Sequence, residues 1–290
     1  MLTATDVVFR VSGRALVDGI SARFEPGQLH LILGPNGAGK STLIKLLARL
    51  LRPNEGSVEY DGQSVAHSSE RELAQRRAVL SQAVEVAFSM PVRELVLMGR
   101  YPHFGARPGA ADQQICDEVM RFFDVAEMAA RSYGTLSGGE KQRVQFARVL
   151  AQIWQPLKGA TRYLFLDEPL TFLDIRHQID FMEKVRRFAL QKDVVVVGVV
   201  HDLNLAAQFA DRLLLLHQGR ILSHGSTREV LTREHVATAF AVAPVLLVNP
   251  ATRKTHLVFE GDSDTPSYPP RDGAPCKNPD SVPETHRLHP

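Results

Sequence analysis

Cysteine is nearly absent: the 290 residues hold two, Cys116 and Cys276, far apart in the chain. Two such residues build neither a disulfide framework nor a zinc cluster. Long apolar runs are missing as well. The most conspicuous, over 194–200, is far shorter than the roughly 20 residues that cross a bilayer. Charge of one sign is not in excess, since 34 Lys and Arg face 32 Asp and Glu for a net +2. That balance leaves no electrostatic footprint for nucleic acid. No basic stretch followed by an apolar core opens the chain, so a secretory leader is not expected. Together these absences set aside membrane-integral, disulfide-rich secreted and fibrous proteins and leave a cytoplasmic globular one. The rest of the composition agrees, with 44% hydrophobic and 23% charged residues, enough apolar material for one large domain or two modest ones.

Along the chain the pattern changes three times. Residues 2–33 read as short strands, with 7–11 and 22–24 extended and turns at Ser12-Gly13 and Pro26-Gly27. A compact apolar run over 29–33 suits a buried strand. Leu43, Leu46, Leu47, Leu50 and Leu51 recur at helical spacing, which predicts a helix over 40–51 closed by Pro53. A strand is expected over 57–60. The middle is mostly helical in pattern, with pieces over 92–98, 111–123, 125–130 and 137–153 and a Gly- and Pro-rich loop over 102–109. Then strands at 163–166, 194–200 and 213–217 alternate with helices at 175–190 and 203–209. This alternation implies an α/β protein with a largely parallel sheet covered on both faces. Residues 262–290 hold seven of the 17 prolines and little that builds a core; a disordered tail is expected there.

Gly34-Pro35-Asn36-Gly37-Ala38-Gly39-Lys40-Ser41 fits G-x-x-x-x-G-K-[ST] in full. It follows an expected strand and opens an expected helix, the context in which the motif cradles phosphate rather than being a chance glycine-rich turn. The glycines allow a tight turn whose N–H groups converge on phosphate oxygens, and the helix N-terminus adds its positive dipole end. Lys40 supplies a mobile point charge. Ser41 offers a hydroxyl to Mg²⁺, a hard cation that prefers oxygen. Farther on, Tyr163-Leu164-Phe165-Leu166 leads into Asp167-Glu168. A strand ending in Asp places that carboxylate near the metal of a phosphate-loop sheet. Glu168, beside it, could accept a proton from an attacking water. Without the upstream loop, the same residues would equally begin a polar turn.

Between these elements, Leu136-Ser137-Gly138-Gly139-Glu140-Lys141-Gln142-Arg143 resembles the signature motif of ATP-binding cassette (ABC) ATPases. The order Gln82, signature, Asp167-Glu168, Leu173-Asp174, His201 is similar to that family's order, and the resemblance covers about residues 2–245. It implies a P-loop ABC cassette: a mixed, mostly parallel sheet flanked by helices, a small antiparallel β part, and a helical subdomain over about 91–145. Residues 246–261 would form a short extension and 262–290 the tail. The family's activity is ATP hydrolysis by two cassettes paired head to tail around two ATP. Carried over by position, residues 34–39 with Lys40, Ser41 and Thr42 hold phosphate and metal. Gln82 would touch Mg²⁺ and the attacking water and link to the helical subdomain. Asp167 would support the metal, Glu168 act as general base and His201 meet the γ-phosphate. Ser137, Gly138 and Gly139 would reach the γ-phosphate bound by the other copy, and Asp174 would lie at the same nucleotide interface. Their physics fits, because they open a helix and so form a second anion site. Phe9 is a candidate for stacking on adenine, or equally a core residue of its strand. Leu170 and Phe172 depart from the family's usual Thr and small residue, where the dimer interface would pass.

Three features resemble the importer branch of the family that serves iron-siderophores, haem and vitamin B12. One cassette stands without a fused membrane domain. Val96-Leu97-Met98-Gly99-Arg100-Tyr101-Pro102-His103, Ile175-Arg176-His177-Gln178 and the run from His201 to Ala206 are similar to that group. A long stretch from Val149 through Trp154 to Arg162 looks like the haem (hemin) branch. The resemblance implies two transmembrane permease subunits as partners, docked on the helical region with residues 82–103 as the coupling surface. It also implies an indirect dependence on a periplasmic binding protein and a place at the cytoplasmic face of the inner membrane. Direct haem binding and nucleic-acid binding are not expected: of the 11 histidines, His103, His217 and His224 sit beside turn residues and His286 and His289 lie in the tail, so these read as solvated side chains rather than haem ligands. A soluble cassette acting on nucleic acid or ribosomes is the competing class, and such proteins usually carry paired cassettes, long coiled coils or zinc cysteines.

Overall fold

A computed structural model describes residues 1–81, 89–157, 159–171 and 173–260. Gln82 and Phe172 therefore lie outside the described residues, as does the segment 262–290. Two strands, β1 (Leu2–Val11) and β2 (Arg14–Phe24), pair antiparallel. Next come β3 (Leu29–Leu33), α1 (Lys40–Leu47), β4 (Glu55–Tyr60), β5 (Gln63–Ser64), α2 (Glu70–Arg76) and β6 (Arg77–Leu80). The middle contains α3 (Val92–Leu97), a 3-10 turn over Met98–His103, α4 (Ala110–Phe122) and α5 (Gly138–Ile153). Then follow β7 (Arg162–Asp167), α6 (Ile175–Lys192), β8 (Val194–Val199), α7 (Leu203–Phe209), β9 (Arg212–His217) and β10 (Arg220–Gly225). The elements α8 (Thr227–Val230), α9 (Arg233–Phe240), β11 (Val245–Val248) and β12 (Thr255–Val258) complete it, and Met1–Phe259 forms one compact unit.

The main sheet has the order β10-β9-β3-β8-β7-β6, parallel except at its β9–β10 edge. A second, antiparallel sheet has the order β2-β1-β4-β5. The central strands are apolar on both faces because both faces are covered. In β8, Val194 and Val196 join the core shared with α3–α7, while Val195 and Val197 join the core shared with α1 and the antiparallel sheet. β7 divides likewise, Leu164 and Leu166 facing one way and Tyr163 and Phe165 the other. Each such side chain contributes about 1.5–3 kcal/mol on burial. A carboxylate at Val197 would remove that gain and bury a charge without a partner.

Two local departures from the sequence pattern have physical causes. α1 ends at Leu47, a turn earlier than its leucine spacing predicts, and Leu50 is exposed. The Tyr60 hydroxyl donates to Leu47 O at 2.8 Å, and Arg49 takes a left-handed φ of 52°, which stops the helix. At the other end of the chain, β11 and β12 form a hairpin that runs across the expected boundary at 245/246. Leu257 anchors it in the larger core. Among the described residues no helix is long and apolar enough to cross a membrane.

Candidate active site

The phosphate loop joins β3 to α1, and two of its glycines are demanded by space as well as by φ. At Gly34, φ is 150° and a Cβ would lie 2.3 Å from Leu216 O; at Gly39, φ is 96° and a Cβ would lie 2.3 Å from Leu16 O. Gly39 also occupies the N-cap of α1 without a capping side chain. The first N–H groups of α1 therefore gain no side-chain acceptor from their cap, which suits an anion. Lys40 is buried, with Nζ donating to Gly34 O at 2.9 Å and Pro35 O at 3.0 Å. Burial lowers its pKa from the ordinary lysine value, while Glu168 and Asp167 oppose that effect.

Parallel pairing brings the rest of the site to the same end of the sheet. Ile32 of β3 and Asp167 of β7 both align with Val199 of β8. The residues just beyond these strands share the crevice outside their carboxyl ends, where open α/β sheets bind ligands. There Ser41 Oγ donates to Asp167 Oδ1 at 2.8 Å. Burial raises the Asp167 pKa; the Ser41 bond opposes this and the neighbouring Glu168 charge adds to it. Glu168 has a left-handed φ of 52°, a conformation that costs a non-glycine residue free energy. Its Oε1 lies 2.7 Å from His201 Nε2. The next residue, Asp202, caps α7 by accepting from Asn204 N and Leu205 N at 2.7 and 3.0 Å, which fixes the backbone beside His201.

The loop following Glu168 is held by side chains that the sequence reading assigned no role. Gln142 of α5 donates to Pro169 O. Gln178 of α6 donates to Leu170 O and Leu173 O at 3.3 and 3.0 Å, and Thr171 Oγ1 donates to Glu168 O at 3.1 Å. The only sequence signal was position: Gln142 lies in the signature run and Gln178 in the first turn after Asp174. Leu170 is buried in the larger core. Asp174 is the N-cap of α6, accepting from His177 N at 2.9 Å and lying 2.8 Å from His177 Nδ1.

Ser137 caps α5 in a reciprocal box: Glu140 N donates to Ser137 Oγ, and Ser137 N donates to Glu140 Oε2 at 2.7 Å. Gly138 faces open space. Among the described residues, none of the hydrogen bonds or ion pairs joins Ser137, Gly138 or Gly139 to the phosphate loop. Phe9 lies on β1 opposite Val17, half-buried and packed at the margin of the smaller core.

This arrangement matches known proteins. The ABC transporter family model matches residues 17–171. The hemin import ATP-binding protein HmuV of Gloeobacter violaceus is 48% identical over 86% of this chain and 90% of its own length. Its namesake from Escherichia coli O157:H7 is 38% identical over 90% of this chain and 100% of its own. Among solved structures, an inward-facing ABC transporter described as metal-chelate type superposes with a TM-score of 0.75 at 25% identity, covering 90% of this chain and 97% of that one. With its phosphate loop, its Asp167-Glu168 strand end and its helix-opening signature in one fold, the chain belongs to the ABC transporter family as one of its ATP-hydrolysing cassettes.

Proposed function

We propose that this chain is the energy-coupling subunit of a bacterial importer of haem, two copies closing head to tail on two ATP to drive a permease. The observation that carries the chemistry is the convergence of Lys40, Ser41, Asp167, Glu168 and His201 at one end of the sheet. Likeness to the hemin import proteins supports the cargo. Lys40, now satisfied by loop carbonyls, would exchange them for phosphate oxygens, and the N–H groups over residues 34–42, Pro35 excepted, would complete the cradle. Ser41 and Asp167 are adjacent hard-oxygen donors and fit Mg²⁺, which when bound neutralises charge on the phosphates. Glu168 takes the proton of the attacking water, and His201 orients that carboxylate and meets the γ-phosphate. Gln82 is assigned beside the metal and water by its place in the sequence. From the second copy, Ser137, Gly138 and Gly139 would bring the N-terminus of α5 to the γ-phosphate. Asp174 would border the same interface, and Phe9 would face adenine.

In this reading residues 2–245 are the cassette, about 91–145 the helical subdomain that docks on two permease subunits, 246–261 an extension and 262–290 a tail. The chain would lie at the cytoplasmic face of the inner membrane and depend on a periplasmic binding protein only through the permease. An iron-siderophore or vitamin B12 cargo is the second reading, favoured by the likeness to a transporter of metal-chelate type. The test is ATP hydrolysis by this chain reconstituted with a haem permease. Stimulation by haem-loaded binding protein, and not by the empty protein, is the expected outcome. Hydrolysis indifferent to haem but stimulated by a siderophore or B12 system would move the cargo; no complex with any permease would reject the importer role.

A further inference from the structure

Seven of the twelve large apolar residues that stand exposed among the described residues lie between 242 and 259. Most belong to the β11–β12 hairpin or its flanks. Its register sets Val245 opposite Val258 and Leu247 opposite His256 on one face, with Leu246 opposite Leu257 on the other. Only Leu257 is buried. On the outward face Val245 is 44% and Leu247 53% exposed, and at the strand end Val248 is 59% exposed. A two-stranded hairpin is marginal in water without a covered apolar face, and this one is apolar where nothing in the described chain covers it. Its edges differ as well. Leu257 N donates to Asn204 Oδ1 at 2.8 Å while Asn204 Nδ2 donates to Leu257 O at 3.0 Å, so α7 occupies the outer edge of β12. β11 is left as the edge strand of a two-stranded sheet.

The geometry points to a second copy of this chain as the occupant, with β11 pairing antiparallel with its own counterpart across a twofold axis. Such a contact is isologous, so one apolar edge serves both partners. Two observations favour this occupant. The chain that follows the hairpin, 261–290, offers seven prolines and, as large apolar side chains, only Tyr268, Val282 and Leu288, too few to cover the patch. The hairpin is also clamped along α7, through Asn204 and through Lys254 Nζ donating to Gln208 O at 2.7 Å. α7 starts two residues after His201, so the hairpin is anchored on the helix that begins beside the proposed γ-phosphate residue. The inference rests on the proposed head-to-tail pairing but adds a contact that needs no nucleotide. A patch of hairpin size is small for a protein interface, so a weak, reversible contact is expected.

The experiment is sedimentation of the full chain without nucleotide, across a concentration series, for wild type and the double variant Val245→Asp/Leu247→Asp. Both side chains are exposed, so the fold is expected to survive; unchanged thermal melting checks this. A reversible wild-type dimer whose dissociation constant rises tenfold or more in the variant is the expected result. Single cysteines at 246, 247 and 248 in a Cys276→Ser background should give at least one disulfide-linked dimer on oxidation; Cys116 is buried, with its thiol pKa raised to about 11, and does not compete. A wild-type monomer throughout the series would overturn the inference, as would a dimer indifferent to the double variant or the absence of any cross-link. A full-length monomer that dimerises only when cut after 260 would assign the patch to the tail instead. ATP-dependent dimerisation of Glu168→Gln reads the head-to-tail sandwich separately, so loss of one contact is distinguishable from loss of the other.

Discussion

Glu168 meets His201 from a left-handed backbone, φ 52°, and a carboxamide of the same shape keeps that geometry while losing the capacity to take a proton. Glu168→Gln should therefore bind ATP normally while its turnover falls about 10²–10⁴-fold; hydrolysis at the wild-type rate would reject the base assignment. Lys40→Ala removes a buried ammonium whose present partners are two loop carbonyls. Charge-assisted bonds of about 1.5–3 kcal/mol are lost, so ATP affinity by calorimetry should drop roughly 10- to 100-fold. His30 makes a different prediction, about stability. Burial is the main cause that holds its pKa down to about 4, against an ordinary 6.5. Between those values the unfolded chain binds a proton that the folded chain refuses, so stability is lost as pH falls from 6.5 toward 4. The full span corresponds to about 3 kcal/mol. Urea denaturation at pH 7.5 and 5.0 should show this slope in wild type and a flatter one in His30→Gln; equal slopes would remove His30 as its source.

Helix α5 carries the signature at one end and packs its flank so closely on the 3-10 turn over Met98–His103 that the contact is backbone to backbone. A Cβ on Gly99 would lie 2.0 Å from Arg148 O, so Gly99→Ala must push the turn off the helix. The expected cost is about 1–3 kcal/mol in denaturant titration, with ATP affinity unchanged; a neutral substitution would show that the turn moves freely. Elements of this kind were legible where their signals are local. The phosphate loop, the apolar runs of β7 and β8, and the periodic helices α4–α6 each announce themselves within a dozen residues. The end of α1 was not, because the carbonyl that stops it is taken by Tyr60, 13 residues away. β6 hid because its first residue is an arginine, Arg77, whose buried side chain pairs with Glu70. At the site, motif residues could be read but not their gathering. Ser41 and Asp167 are 126 positions apart, and Gln142 and Gln178 act on loop carbonyls that no helical pattern reveals.

Under the head-to-tail reading, the cassette has both halves of a site but not in one place. Lys40 and Ser41 stand in the crevice with Asp167, while Ser137 opens α5 with Gly138 facing open space. In that reading each complete site takes its phosphate loop from one copy and its signature from the other. Ser137→Arg would then spare ATP binding by the single chain and abolish hydrolysis. Lys40→Ala would abolish hydrolysis for the opposite reason, with an intact signature. Mixing the two inactive proteins should restore activity. In a mixed dimer the phosphate loop of the Ser137→Arg copy meets the sound signature of the Lys40→Ala copy, while the other site is doubly disabled. With random exchange half the dimers are mixed and each has one intact site, so the rate should reach about a quarter of wild type. Ser137 is also a helix cap, and its loss costs about 1 kcal/mol, so melting of each parent must first show a folded protein. Recovery on mixing folded parents requires a site shared between copies. A mixture as inactive as its parents would place both halves of the chemistry within one chain, and the open face of Gly138 would need another occupant.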